Sequence, residues 1–234
     1  LAMYNEADFT RVKKMLDDGT APVMVKTELA NLKNSPYTSL TYTPSPQEEI
    51  VRGEATGTIP GKENYSYAMK DAAAAYQTAL LWKLTGDVKY ADLSVKILNA
   101  WADVCKRITS NDANQMLAAG CQGYTFANAA EIMQTYEGWS ANDIADFKTW
   151  IVNVFASKNK DFLDNHQGTN NCSLHYWSNW DLVNMCSYLA IGILTENNDM
   201  VNFVVNYFYS GVGNGCISNL IQATFDDPLG SGEI

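Results

Sequence analysis

The sequence predicts an all-α protein: an incomplete (α/α) barrel or toroid of antiparallel helical hairpins. Three observations lead there. After Tyr67 the apolar residues recur at helical spacing almost without interruption. Thr85, Ser140 and Thr195 stand at predicted helix–helix junctions 55 residues apart. No segment shows sustained period-2 alternation between turn signals, so strands are expected to be minor. Self-similarity at a fixed period marks stacked supersecondary units, and about 55 residues exceeds the roughly 34–47 of the common helical solenoids. Hairpins of that length suit inner helices around a cavity, wrapped by outer ones.

The elements follow in order. Residues 6–33 read as two short helices, with Phe9, Val12 and Leu16 on one face of the first and Pro22 opening the second. Residues 34–66 hold Pro36, Pro44, Pro46 and Pro60 with Gly53, Gly57 and Gly61. That is a long irregular segment, and such segments are functional or act as covers. The first hairpin is predicted at 67–84 and 88–106, around Thr85-Gly86-Asp87. The second is predicted at 126–136 and 142–156, around Glu137-Gly138-Trp139-Ser140. The third is predicted at 176–194 and 199–210, with a turn at Thr195–Asn198. The junction hydroxyls, with Asp87, Asp143 and Asp199, supply capping oxygens. All 234 residues are read as one catalytic domain, with 34–66 as a loop inside it.

Composition narrows the function. Hydrophobic residues are 47% and charged residues 18%, enough apolar surface for a core and too much for a disordered chain. The net charge is −10, the opposite of a nucleic-acid binder's balance. No apolar run reaches the 18 or so residues of a membrane span. The stretches around Leu182–Leu194 and Val201–Phe208 are broken by polar residues. The chain opens Leu-Ala-Met without a signal-peptide pattern, and a start without an initiator Met suggests that a signal or an expression tag was removed upstream. A periplasmic or secreted location is the expectation. Cys105, Cys121, Cys172, Cys186 and Cys216 include no C-x-x-C. Buried free thiols are expected, with one disulfide as the alternative. No metal or cofactor is expected: only His175 is placed as a ligand could be, and no phosphate loop, dinucleotide fingerprint or Gly-x-Ser-x-Gly elbow occurs. Gly211-x-Gly213-x-Gly215 follows a predicted helix and reads as a loop.

Chemistry concentrates in Asn170-Asn171-Cys172-Ser173-Leu174-His175-Tyr176-Trp177-Ser178-Asn179-Trp180-Asp181. On a helix, Asn171, His175 and Asn179 would share one face as amide, imidazole, amide, with Tyr176 and Trp180 as a neighbouring stripe. Asparagine is a poor helix former, so three of them here need a reason. The other histidine, His166, sits in a polar stretch and reads as a surface loop residue. Paired-carboxylate glycosidase chemistry would fall to Asp181, Glu131 and Asp71, although Asp71 and Glu131 read as solvated surface.

Three stretches carry a resemblance. Tyr65–Trp101 has an Ala-rich helix, a Leu-Thr-Gly-Asp turn, Tyr90 and Ala100-Trp101. Ala118–Met133 has Gly123, Phe126, Ala130 and Glu131. Asn170–Asp181 has the Asn pair followed by His-Tyr-Trp. Together they resemble the (α/α)-toroid polysaccharide lyases of the alginate lyase type, over most of residues 60–210. The family commonly places His directly after the Asn pair; here Cys172 stands there and His175 comes a turn later. The stretch is nearer a subgroup reading Asn-Asn-x-x-x-His-Tyr-Trp-x-Asn-Trp, which includes lyases acting on glucuronan.

The resemblance implies β-elimination at C4–C5 of a uronic acid polymer, alginate or glucuronan. Amide donors stabilise the charge that builds on the substrate carboxyl group. A His or Tyr takes the C5 proton and a Tyr protonates the leaving O4. The expected catalytic residues are Asn171, His175, Asn179 and Tyr176; the expected substrate-binding residues are Trp177, Trp180, Asn170, Arg52 and Lys62. The partner implied is an anionic polysaccharide, with neither nucleic acid nor membrane. A glycoside hydrolase on an (α/α) barrel and a non-catalytic carbohydrate-binding protein are the alternatives. The family's toroid needs more hairpins than this chain holds, and the last Arg is Arg107. The expectation is therefore an N-terminal portion whose cationic partner lies beyond Ile234 or in a second chain.

Overall fold

The computed structural model describes residues 3–53, 63–110, 112–166 and 174–221, and the backbone of 223–225 and 231–233. The described chain is all-α with short strands. Helices α1 (Glu6–Asp17) and α2 (Val23–Lys33) come first. α3 (Tyr65–Thr85) and α4 (Val88–Val104) follow, then α5 (Asn114–Met133) and α6 (Ala141–Ile151). A π-helical turn (Val152–Ala156) carries α6 on into α7 (Ser157–Asn165). α8 (Ser178–Leu194), α9 (Asn198–Ser210) and the short α10 (Ile217–Leu220) complete the helices. Strands β1 (Glu49–Val51) and β2 (Arg107–Thr109) pair in parallel; β3 (Ala223–Phe225) and β4 (Ser231–Glu233) pair antiparallel.

Side-chain contacts fix the directions. Ser94 donates to the Ala75 carbonyl and the Trp101 indole to Asp71, so α4 runs back along α3. Lys158 donates to Gln115 while the Trp150 ring meets Phe126, so the α6–α7 rod runs back along α5. Phe203 meets Tyr188, and Tyr207 reaches Asp181, so α9 runs back along α8. These are three antiparallel hairpins. Their first helices form a row, α3 against α5 and α5 against α8. Within the row the helices are parallel. Lys83 bonds Thr135 at the C-terminal ends of α3 and α5, and Ser187 bonds the Ala119 carbonyl between α8 and α5. The hairpin turns therefore lie at one end of the row and the helix N-termini at the other.

The expected 55-residue repeat of junction hydroxyls is not what repeats. Thr85 and Thr195 bond back to the Leu81 and Ile191 carbonyls of their own helices. Ser140 instead accepts from the Asp143 amide as the N-cap of the next helix. The equivalent triplet is Asp87, Ser140 and Asn197, each capping an outer helix with a side-chain oxygen.

Two helices extend past their predicted bounds. α5 starts at Asn114, well before the predicted 126. Gly120 and Gly123 weaken its helical pattern, and both are there for close approach. A Cβ on Gly120 would stand 2.7 Å from Val183 Cγ1, and one on Gly123 would press into Ser187 and lie 3.0 Å from Phe155. Tertiary packing overrides propensity here. The second hairpin continues to Asn165 because the π turn shifts the helix phase without breaking it.

Two polar readings are corrected. Asp71 and Glu131 are buried, not solvated. Asp71 accepts from Tyr42 Oη at 2.6 Å, Ser45 N at 2.7 Å and Trp101 Nε1 at 2.7 Å. It ties the described part of the 34–66 segment to α3 and α4. Asn64 adds a second tie, bonding the Val51 amide and the Glu49 carbonyl. The main core lies between the layers, around Trp101, Phe126, Phe147, Trp150 and Phe155. A smaller cluster of Met116, Phe162, Leu163, Met185, Val204 and Tyr207 packs under the start of α8.

Candidate active site

Leu174–Trp177 form a turn leading into α8, which begins at Ser178. His175 is thus outside the helix, and the helical register expected for Asn171, His175 and Asn179 does not apply. Asn170 and Asn171 lie outside the described residues, as does Lys62. His175, Tyr176 and Trp177 are brought together. With Leu174, Ser178, Asn214, Asn219 and Leu220 they line an open pocket of about 480 Å³. His175 is exposed, its ring edge-on to Tyr176 with centroids 4.9 Å apart. Trp177 is 81% exposed, an indole with no packing among the described residues to explain it. Trp180 turns the other way: it stacks near Tyr176 at 4.9 Å and Phe162 at 6.0 Å, on the smaller core. Asn179 is exposed on α8 and outside the pocket lining.

His166 is the clearest correction. It is 3% exposed and forms the cap of α7 in the left-handed region, φ 45°. Its Nε2 lies 2.9 Å from Asp181 Oδ1 and 3.2 Å from the Tyr207 hydroxyl. Burial, then the Asp181 charge, raises the Tyr207 pKa, so that hydroxyl stays protonated and serves as a donor. Asp181, at 1% exposure, is satisfied inside this cluster and is not a free glycosidase carboxylate. A Cβ on Gly213 would collide with Asp181 and stand 2.7 Å from His166 Nε2. The Gly-x-Gly-x-Gly spacing was the available signal for this cluster. Glycines permit a backbone to lie against a buried polar pair.

The match to known families takes in this whole region. The family model described as alginate lyase covers residues 23–218, from the start of α2 into α10. The chain belongs to the alginate lyase family. It is a polysaccharide lyase, and its substrate is an anionic polysaccharide. Comparison with curated proteins and with solved structures returns no match.

Two further features suit an alginate lyase family member. Arg52 stands over the Tyr65 ring at 4.6 Å and lines a separate pocket of about 340 Å³ with Met69, Cys121, Gln122 and Thr125. Gln122 is 3% exposed and its Oε1 has no hydrogen-bond partner among the described residues. The N-termini of α3, α5 and α8 all face this end of the row, and helix N-termini carry partial positive charge. That local field opposes the −10 of the whole chain. Among the described residues, no three His, Cys, Asp or Glu side chains group as a metal site. No helix among them is long and apolar enough to cross a membrane.

Proposed function

We propose that the chain cleaves a uronic acid polymer, alginate or glucuronan, by β-elimination. The observation that carries this is an exposed imidazole, His175, between aromatic walls in an open pocket of a polysaccharide lyase. The pocket is roomy enough for a sugar residue and open enough for a polymer to pass. Trp177 offers the flat apolar face on which a pyranose ring stacks. His175 takes the C5 proton. The electron pair left behind forms the C4=C5 double bond, the C4–O bond breaks, and Tyr176 returns a proton to the leaving O4. Charge on the carboxyl group rises as the proton leaves, and donors placed there lower the barrier. Asn171 and Asn179 are the proposed amide donors, with Arg52 as the proposed cation.

Arg52, stacked and without an ion pair among the described residues, suits a uronate carboxylate at a neighbouring sugar. Asn170 and Lys62 are proposed to bind there too. A polymer is degraded where it is met, so a periplasmic or secreted location belongs to the same proposal. Incubation of the protein with alginate and with glucuronan should raise ultraviolet absorbance as the conjugated uronyl product forms. His175→Ala should lower that rate by about 10²–10⁴. New reducing ends without absorbance would mark a hydrolase and reject the reading.

A further inference from the structure

A continuous run of hydrogen bonds links the buried His166–Asp181 pair to the two neighbours of His175. Asp181 Oδ1 faces His166, while its Oδ2 accepts from the Gly215 amide at 2.8 Å and the Tyr207 hydroxyl at 3.4 Å. Gly215 is thereby fixed to the first turn of α8. The residue before it, Asn214, extends its Nδ2 to the Tyr176 carbonyl at 2.7 Å and the Leu174 carbonyl at 3.2 Å. Those carbonyls stand on either side of His175. Asn219 braces the same loop by donating to the Gly213 carbonyl at 3.0 Å.

The 174–177 turn precedes α8 and has no helical ladder of its own. Asn214 bonds it twice from across the pocket. A displacement of about 1 Å in a reacting group can cost on the order of 10² in rate. An exposed imidazole on a turn has that freedom unless its backbone is held.

We propose that Asn214, locked through Gly215 onto Asp181, is a positioning residue for His175. The buried His166–Asp181–Tyr207 cluster is then the anchor of the site and takes no part in proton transfer. This rests on His175 acting in the elimination. The loop from Gly211 to Cys216 transmits the anchor, and its glycines allow the approach.

Asn214→Asp tests it, because a carboxylate oxygen would face two carbonyl oxygens where a donor stood. The chain has two histidines, so their imidazole resonances are readily told apart. In Asn214→Asp the His175 ring signals should move or broaden while those of buried His166 stay. In Asn214→Asp kcat should also fall by about 10–100-fold, with KM changed less than about threefold. Asn214→Gln, which keeps the donors, should recover part of the loss. Asn214→Ser serves as a second neutral variant if the aspartate fails to fold. Unmoved His175 signals in a folded variant would overturn the proposal. The imidazole measurement needs no turnover: moved His175 signals in a protein inactive on every polyuronate would keep the brace and reject the lyase reading.

Discussion

At the residue scale, two tryptophans three positions apart do opposite work. Trp177 is exposed beside His175, while Trp180 rests on Phe162 and Tyr176. Trp177→Ala should leave the melting temperature within about 2 °C, since a surface change away from packing costs within about ±0.5 kcal/mol. It should raise KM for polyuronate. Trp180→Ala should cost about 1–3 kcal/mol, below the 3–5 of a fully buried Trp, read by denaturant unfolding. Equal stability losses in the two variants would contradict the assignment. The Asn170–Asp181 cluster stands out in the sequence because aromatic, imidazole and amide groups crowd there without a packing pattern. It did not separate the two indoles, because that depends on where α8 starts. Nor did it place His166 or Asn214, whose partners lie 15 or more residues away in the chain.

At the element scale, capping chemistry was legible and close packing was not. Asp87 and Ser140 announce the outer helices through local bonds that any sequence pattern carries. α5 was read short because its glycines and amides look like poor helix, yet they are the seam against α8. Gly123→Ala tests this. Helix propensity alone predicts a gain of about 1 kcal/mol. Pressing a methyl into Ser187 and Phe155 predicts a net loss of about 1–3 kcal/mol. A higher melting temperature in Gly123→Ala would show that the seam is looser than described.

At the scale of the whole molecule, buried hydroxyls and thiols tie the layers together. Burial first, then hydrogen bonding to Asp71 or to Tyr4, raises the pKa values of Tyr42 and Tyr76; burial and then Asp181 raise that of Tyr207. A raised folded-state pKa means the neutral form is favoured by folding. The contribution is full below the unfolded value of about 10 and is lost as pH rises above it. The melting temperature should therefore fall steeply above about pH 10, and Tyr42→Phe should flatten part of that fall. Burial also pushes the Cys105 thiol up to about 11, so it should resist alkylation near neutral pH in the folded state. Cys105, Cys121, Cys186 and Cys216 are all free, and Cys186 is exposed where buried thiols were expected; Cys172 lies outside the described residues.

The all-α class and the hairpin order were readable because apolar periodicity is local. The parallel row of α3, α5 and α8 was not, because contacts between hairpins set it. That row places His175, Arg52 and three helix N-termini at one end of a strongly acidic molecule. The central claim is that this end performs elimination on a polyuronate. The most direct measurement follows ultraviolet absorbance and reducing ends together, in the protein and its His175→Ala variant, on alginate and on glucuronan. The account predicts absorbance rising in step with reducing ends on at least one polymer, and both lost in the variant. Reducing ends without absorbance, or elimination undiminished in His175→Ala, would contradict it.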